Sequence, residues 1–281
     1  MNGLLTLITE IFLLLLLLAA FLGLLSMYRK LKRKKQEFEQ EIVELEEHRE
    51  FLHDAGERLL ELKKALALEQ EKNNKLLHNI LPEKVVKDLQ DKGESQPERF
   101  EHAAVFFADI VNFTGIVPEM EPEELLIELN DIFGIFDRIF TEHNCERIKT
   151  VGDAYMAVAG LHKNSGNPEV DILQAALEVR EALIVRNNRA GSRKWQMRFG
   201  VNSGPVIGGI VGREKYIYDI FGDTVNIASR IEHLSEAMKI NVPEKVYRAV
   251  HDYFEFESRG KIQIRGRGET EMYFLKGVKN P

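Results

Sequence analysis

Two aspartates stand where apolar runs end, and together they could bind a cation. Asp109 follows the run His102 to Phe107 in "HAAVFFADIVNFTG", and Asp153 lies in the Gly-Asp turn of "KTVGDAYMAV". Taken alone, either carboxylate would be expected to cap a turn, because aspartate side chains commonly bond to backbone N–H groups there. Two carboxylates at strand ends of one sheet could instead hold a hard divalent cation such as Mg²⁺, which needs one or two carboxylates plus substrate phosphates.

A second group of polar residues could bind phosphate. In "YDIFGDTVNIASRIE", Asn226 and Arg230 are four residues apart and therefore share one face of a predicted helix. Such a face is often merely solvated, but the planar guanidinium of Arg230 offers several fixed donors to phosphate oxygens and keeps its charge. In "IRGRGE", Arg265 and Arg267 lie between glycines, a pattern equally compatible with a phosphate site and with a basic turn. The sequence has no GxxxxGK[ST] motif, which excludes a P-loop nucleotide hydrolase.

These residues belong to a region of alternating strands and helices that begins near Glu101. The order of elements predicts an α+β domain, with helices on one face of an antiparallel sheet. The predicted strands are 102–110, 146–151, 154–159, 196–203 and 205–211, with a final hairpin around 262–275. The predicted helices are 123–143, 169–188, 224–235 and 243–251.

The N-terminal stretch Leu4 to Leu25 is almost wholly apolar. As a helix it is long enough to cross the hydrocarbon core of a bilayer, about 30 Å thick. A cleaved signal peptide would begin with basic residues and end at small ones, whereas this chain begins "MNG" and the run is followed by "SMYRK". Basic residues crowd the C-terminal flank, namely Arg29, Lys30, Lys32, Arg33, Lys34 and Lys35. The positive-inside rule then predicts a single-pass membrane protein whose remaining chain is cytoplasmic.

Residues Gln36 to about Asn79 are rich in Glu, Lys and Leu and contain no proline, so one long helix is predicted. Apolar side chains recur at every seventh position, namely Phe38, Leu45, Leu52, Leu59 and Leu66. This spacing is typical of one seam position of a parallel coiled coil. The second seam position is polar or small after Ile42, so a single solvated helix is the alternative. Leu81-Pro82 ends the helix, and a short amphipathic helix and a polar linker follow.

The composition argues against broad nucleic-acid binding and excludes structures held by intrachain disulfides or cysteine zinc clusters. The 281 residues carry a net charge of −7 with a pI near 5.7, which argues against broad nucleic-acid binding because such binding needs a basic surface. Cys145 is the single cysteine, so neither an intrachain disulfide nor a cysteine zinc cluster can form. A reducing compartment is therefore expected.

Four segments together resemble a known family. The segments "FFADIVNFT", "RIKTVGDAYM", "GVNSGPVIGGIVG" and "YDIFGDTVNIASRI" are similar, in this order, to the signature segments of the class III nucleotide cyclase catalytic domain. The resemblance covers about residues 96 to 279, and the preceding "NNKLLHNILPEKVVKDL" resembles the helical transducer of many members. It implies a ferredoxin-like α+β catalytic domain.

The resemblance implies roles for the acidic and base-reading residues. Asp109 and Asp153 would be the two metal-binding aspartates, and the carbonyl oxygen of Ile110 would be a further ligand. Lys149 and Asp219 would read the edge of adenine. Guanylyl cyclases usually carry Glu and Cys at these two positions, so both residues favour ATP.

The resemblance also implies roles on the phosphate side. Asn226 would position the ribose, and Arg230 would stabilise the transition state. Arg265 stands where many members have a phosphate-binding lysine, a departure that keeps the positive charge. Arg213, in the "VGREK" segment, is a further candidate for phosphate binding.

The activity implied by the resemblance is that of an adenylyl cyclase. The 3′-hydroxyl of ATP would attack the α-phosphorus in line, giving 3′,5′-cyclic AMP and pyrophosphate, with two divalent cations, Mg²⁺ or Mn²⁺, at each site. Family members form each site between two subunits, and this chain carries both halves, so a homodimer through the catalytic domain and the coiled coil is expected. The alternatives are a guanylyl cyclase and an inactive membrane-tethered module that only binds nucleotide.

The sequence thus predicts four parts of the chain. Residues 1–27 form a transmembrane anchor, and residues 28–80 form a basic juxtamembrane segment and a coiled coil. Residues 81–100 form the transducer and linker, and residues 101–281 form the catalytic domain.

Overall fold

The computed structural model describes residues 2–161, 166–191, 193–212 and 214–279, with the backbone alone at residues 2 and 4–6. The chain divides into two compact units, Met1–Leu77 and His78–Pro281. The first unit is a single helix, and the second contains every strand of the described chain.

One helix, α1 (Asn2–His78), forms the first unit. The predicted membrane span and the predicted rod are therefore parts of the same continuous helix. Among the described residues this is the one helix long and apolar enough to cross a membrane, and its apolar window is not buried by any other part of the chain. Exposed i,i+4 ion pairs such as Arg33–Glu37 and Lys35–Glu39 follow the apolar stretch.

The residues of the predicted heptad seam are exposed in the single chain. Phe38 and Leu45 are 62% and 63% exposed, and Leu66 is 55% exposed. Side chains of this kind gain stability only when a second helix covers them. The coiled coil therefore remains a prediction, since its partner helix would belong to another copy of the chain.

The second unit contains six further helices and eight strands in its described residues. The helices are α2 (Glu83–Lys92), α3 (Phe113–Ile116), α4 (Pro122–Glu142), α5 (Pro168–Asn187), α6 (Asp223–His233) and α7 (Glu244–Val250). The strands are β1 (Glu98–Ile110), β2 (Cys145–Val151), β3 (Ala154–Ala159), β4 (Met197–Val211), β5 (Ile217–Phe221), β6 (Ile240–Pro243), β7 (Phe254–Ile264) and β8 (Gly268–Val278).

All eight strands belong to one sheet. Their order is β2-β3-β1-β4-β6-β8-β7, and β5 pairs with the second half of β4. Strand β1 lies between β3 and β4, which explains its apolar sequence: Ala103, Ala104, Val105 and Phe106 have no exposed surface. Phe106 packs against Phe140 of α4, with ring centroids 4.8 Å apart.

The predicted α+β class is confirmed, but the sheet differs from the prediction. It is mixed rather than antiparallel, because β4 and β6 pair in parallel at Phe199↔Ile240 and Gly200↔Asn241. The two strands predicted at 196–203 and 205–211 are one continuous strand, β4, because Gly204 continues the extended chain instead of turning it. Strand β6 was not predicted, because its four residues are too short to give a periodic signal.

The expectation that helices cover one face of the sheet is also wrong. Successive side chains of a strand point to opposite faces. In β1 the even-numbered residues Ala104, Phe106, Ala108 and Ile110 join the main core, which also holds buried residues of α4 and α5. The odd-numbered Ala103 and Val105 join a second cluster with Ala228 of α6. Helix α6 therefore lies on the opposite face from α4 and α5.

Helix α2 is packed within the second unit. Val85 and Val86 are buried together with Leu81, in a cluster that includes Ile210 and Tyr218. The helix ends at Gly93, whose left-handed φ of 76° lets its N–H bond to the carbonyl of Leu89. Because Tyr218 precedes Asp219, α2 packs directly beside the strand that carries a predicted base-reading residue.

Candidate active site

Asp109 and Asp153 lie together at one end of the sheet. Asp109 is the penultimate residue of β1, and Asp153 lies in the turn between β2 and β3. Because β3 pairs with β1, this turn is brought beside the end of β1. The turn depends on Gly152, whose φ of 62° is a left-handed conformation that glycine adopts at little cost.

The environment of the two aspartates favours a bound cation. Burial, a hydrogen bond to Asp109 and the negative charge of Asp109 together raise the pKa of Asp153 to about 6. Backbone hydrogen bonds from Asp153 itself and from Ile110 act in the opposite direction. A positive ion bound between the two side chains would remove the repulsion that disfavours the charged form of Asp153.

The donor set suits Mg²⁺ or Mn²⁺. The carboxylates supply hard oxygen ligands. Ile110, whose side chain is buried, follows Asp109 in the chain, and its backbone hydrogen-bonds to Asp153. Within the described part of the chain, no group of three or more His, Cys, Asp or Glu side chains could hold a metal ion alone. The remaining ligands would therefore come from water and substrate phosphates, the usual arrangement for Mg²⁺.

An arginine that the sequence analysis did not identify contacts Asp109. Nη2 of Arg198 donates to Oδ2 of Asp109 at 2.8 Å, and Nε of Arg198 donates to Oε1 of Glu232 at 3.1 Å. The side chain of Glu232 is 2% exposed, and burial raises its pKa to about 7. The sequence offers one signal for Glu232: it lies four residues after the apolar Ala228 and therefore falls on the same face of α6.

Lys149 and Asp219 form an ion pair, although they belong to different parts of the sheet. Nζ of Lys149, on β2, donates to Oδ2 of Asp219, on β5, at 2.5 Å. The other carboxylate oxygen of Asp219 accepts the N–H of Ile220 at 2.9 Å, which fixes its orientation. The side chains are 36% and 14% exposed, so the pair can be reached by a ligand. It offers one donor and one acceptor side by side.

The predicted phosphate-side residues are exposed on α6 and on the β7–β8 hairpin. Asn226 and Arg230 lie on the outer face of α6, and Nη1 of Arg230 donates to the carbonyl oxygen of Arg265 at 2.5 Å. This bond holds the hairpin loop against the helix. Arg265 itself is exposed. Arg213, the further phosphate candidate, lies outside the described residues.

The site residues therefore fall into three groups within one chain: the aspartate pair, the Lys149–Asp219 pair, and the basic residues of α6 and the hairpin. The Arg198–Glu232 link joins the aspartate pair to α6. Together the groups can bind cations, a polar ring edge and phosphate oxygens, the three chemical features of a metal-bound nucleoside triphosphate.

A family model described as adenylate and guanylate cyclase catalytic domain matches residues 95–277. Human guanylyl cyclase C is 37% identical over 218 residues, which is 75% of this chain and 20% of that protein. The chain thus spans about a fifth of the length of this relative.

Two solved structures are similar to the second unit. The guanylate cyclase domain of RhGC from Catenaria anguillulae, in complex with GTP, is 28% identical with a TM-score of 0.62, covering 65% of this chain and 100% of that one. The adenylyl cyclase CyaB from P. aeruginosa is also 28% identical with a TM-score of 0.62, covering 66% of this chain and 98% of that one.

Proposed function

Because the chain belongs to the adenylate and guanylate cyclase catalytic domain family, we propose that it converts a nucleoside triphosphate into a 3′,5′-cyclic nucleotide and pyrophosphate. The observation that carries this proposal is the Asp109–Asp153 pair, which leaves two adjacent carboxylates in need of a cation at the end of the sheet. The proposed ATP preference and the membrane placement each rest on further residues.

The residues of the chain would divide the work of the reaction. Asp109 and Asp153, with the Ile110 carbonyl, would hold two Mg²⁺ or Mn²⁺ ions, which when bound acidify the attacking hydroxyl and neutralise phosphate charge. Asn226 would hold the ribose so that its 3′-oxygen points at the α-phosphorus. A bond forms between these two atoms, the bond from the α-phosphorus to the pyrophosphate oxygen breaks, and the hydroxyl proton leaves to solvent.

Arg230 and Arg265 would act on the phosphates. The guanidinium of Arg230 can donate to two oxygens at once and cannot lose its proton, so it can stabilise charge that builds up during the reaction. Arg265 would bind the leaving pyrophosphate, and Arg213 is a further candidate for the same role. Catalysis would then depend on position and charge, with no covalent intermediate on the protein.

Each site would be shared between two subunits of a homodimer. One subunit would supply the metal half, Asp109 and Asp153, and the other the recognition half, Lys149, Asp219, Asn226 and Arg230. Since every chain carries both halves, a symmetric dimer would contain two equivalent sites.

ATP is the proposed substrate because of the Lys149–Asp219 pair. Adenine presents an amino group that donates and a ring nitrogen, N1, that accepts. Asp219 can accept from the amino group while Lys149 donates to N1. Both side chains are already held in place, Lys149 by Asp219 and Asp219 by the N–H of Ile220.

GTP is the second candidate, and the relatives favour it over ATP. Human guanylyl cyclase C is named as a guanylyl cyclase, and the similar RhGC domain is a guanylate cyclase domain that binds GTP. A Lys–Asp pair could also meet guanine, with lysine on O6 and aspartate on the ring and exocyclic N–H groups. The choice depends on which of the two residues lies beside position 6 of the base.

The test measures both products side by side. Purified full-length chain with Mn²⁺ is given equal concentrations of ATP and GTP, and cyclic AMP and cyclic GMP are quantified. We expect cyclic AMP to dominate. A dominant cyclic GMP signal would leave the cyclase assignment intact and make the chain a guanylyl cyclase. No cyclic nucleotide from either substrate would favour the inactive nucleotide-binding alternative.

We also propose a single-pass membrane placement with the catalytic domain in the cytoplasm. The apolar part of α1, assigned to residues 1–27, would span the bilayer, and the basic flank beginning at Arg29 would stay on the cytoplasmic side. Residues 28–80 would form the basic juxtamembrane segment and the coiled coil, and residues 81–100 would link them to the catalytic region 101–281. Protease added outside sealed spheroplasts should leave the catalytic region intact, whereas its digestion would reverse the proposed orientation.

A further inference from the structure

We propose that Arg198, held by the buried Glu232, positions the carboxylate of Asp109 for metal binding. The inference rests on the proposed cyclase function, because it assigns a role toward the metal half of that site. Arg198 would be a positioning residue, since it contacts a metal ligand rather than the substrate.

The backbone brings Asp109, Arg198 and Glu232 close together on one side of the sheet. Asp109 and Arg198 are directly paired across β1 and β4, and both face the α6 side of the sheet. Helix α6 lies very close to β4 at the next position on this face, Gly200, where an added Cβ would stand 2.3 Å from the backbone nitrogen of Glu232. A side chain at Gly200 would therefore push Glu232 away from Arg198.

The chemistry of the contact requires an arginine. Nε of Arg198 bonds to Glu232 while Nη2 bonds to Asp109, so one rigid guanidinium plane fixes the separation of two carboxylates. A lysine has a single nitrogen on a flexible chain and cannot hold both in a defined geometry. Glu232 is 2% exposed, and a buried carboxylate of this kind needs a charged partner.

Asp109 has two partners within the chain. Arg198 occupies Oδ2, and the carboxylate hydrogen-bonds to Asp153 as well. Outer partners that bond to a ligating carboxylate orient it, and their loss typically costs 10- to 100-fold in metal affinity or activity.

A simple charge effect predicts the opposite sign. If Arg198 only neutralised Asp109, its removal would leave the aspartate pair more negative, and a divalent cation would bind more tightly. If Arg198 positions Asp109, its removal weakens cation binding in spite of the added negative charge. The direction of the change in Mn²⁺ affinity therefore distinguishes the two roles.

The first experiment measures Mn²⁺ binding without turnover. Free Mn²⁺ is followed by electron paramagnetic resonance in full-length Arg198→Met, with 3′-deoxy-ATP and, separately, 3′-deoxy-GTP, which lack the attacking hydroxyl. We expect the Mn²⁺ dissociation constant to rise about tenfold or more. An unchanged or lower constant would overturn the proposal, whether or not the chain proves to be a cyclase.

Three further variants separate positioning from folding. Arg198→Lys keeps the positive charge but loses the planar guanidinium, and Glu232→Gln keeps the shape of the side chain but loses its charge. Both should weaken Mn²⁺ binding less than Arg198→Met does. Arg180→Met removes a largely buried arginine that bonds to the carbonyls of Leu275 and Lys276, and its Mn²⁺ binding should match the wild type. If Arg198→Met does not fold, normal Mn²⁺ binding by the Lys and Gln variants would overturn the proposal.

The second experiment asks which half of the shared site Arg198 serves. If it serves Asp109, mixing Arg198→Met with Asn226→Ala subunits should restore activity, because one site of each mixed dimer then collects no lesion. Mixing Arg198→Met with Asp109→Ala should restore none. Recovery with Asp109→Ala and no recovery with Asn226→Ala would mean that Arg198 serves the recognition half on α6, and this result would overturn the proposal. Failure of the reference mixture, Asp109→Ala with Asn226→Ala, would count against the shared site, and Mn²⁺ binding would still decide the role of Arg198.

Discussion

The two halves of the proposed site are built in opposite ways. The metal half lies at the end of the central strand β1 and in the neighbouring β2–β3 turn. Its Asp109 is 19% exposed and bonds to Arg198, which also bonds to the buried Glu232. The recognition half exposes Asn226 and Arg230 on the outer face of α6. Two like charges must be held close before a cation arrives, and only a packed scaffold can do this. An exposed amide such as that of Asn226 is solvated until the nucleotide arrives, so it needs no such support.

The difference also suggests what a second subunit would contribute to the proposed shared site. The metal half is fixed by contacts within its own chain. Asn226 and Arg230 lie on the exposed face of α6, where they can reach a nucleotide held by another subunit, although one nitrogen of Arg230 already donates to the carbonyl oxygen of Arg265. This contrast agrees with the proposed homodimer.

The largest effect is expected from removing a proposed metal ligand. Asp109→Ala should lower turnover by at least about a thousandfold while the domain stays folded, because the lost group binds metal rather than packing in the core. Asn226→Ala should be similarly inactive. Mixed in equal amounts, the two variants should regain about a quarter of wild-type activity, since half of the dimers are mixed and each has one intact site. No recovery on mixing would mean that both residues serve the site from one subunit.

A smaller effect is expected at the base-reading pair. Lys149→Glu combined with Asp219→Cys should raise the GTP-to-ATP ratio of kcat/KM by at least about a hundredfold, because the donor and acceptor of the pair no longer match adenine. The two substrates are assayed in competition, with Arg180→Met as the control. An unchanged ratio would remove both residues from base recognition and leave the metal half unaffected.

A more modest effect is expected from the rod. Deletion of residues 1–70 should leave a soluble domain whose specific activity falls with dilution, by up to about tenfold for each tenfold dilution below the dimer dissociation constant. Full-length protein in detergent should hold its specific activity over the same range. Concentration-independent activity of the truncated domain would mean that the catalytic regions pair tightly on their own.

The smallest effect is on stability. Because the pKa of Asp153 is raised to about 6 in the fold, the metal-free folded state binds this proton more tightly than the unfolded chain does. Its stability therefore falls as the pH rises from about 4 to about 6, and above that range the full penalty is present. Asp153→Asn should melt about 2 to 4 °C higher than wild type at pH 7.5 without metal, with the advantage shrinking toward pH 4. A lower melting temperature of Asp153→Asn at pH 7.5 would contradict the destabilising effect assigned to the charge of Asp153 beside Asp109.

The sequence predicted most elements of the second unit because their signals are local. Strand β3 follows from a short apolar run, and helix α4 follows from an apolar periodicity that can be recognised within a local stretch of the chain. The start of α5 is marked by Asn167, whose side chain accepts from the N–H groups of Glu169 and Val170. The family resemblance then implied the roles of Asp109, Asp153, Lys149 and Asp219, and the structure brings them together as two pairs.

Tertiary structure alone decided the parallel pairing of β4 with β6, the side of the sheet that α6 covers, and the role of Arg198. Arg198 lies 89 residues from Asp109 and 34 from Glu232, so no local pattern links the three. Their contact depends on strand register and on how closely α6 approaches Gly200. A sequence read locally determines which residues can carry charge or form a strand. Which charges meet is decided when burial forces distant segments to share one face of the sheet.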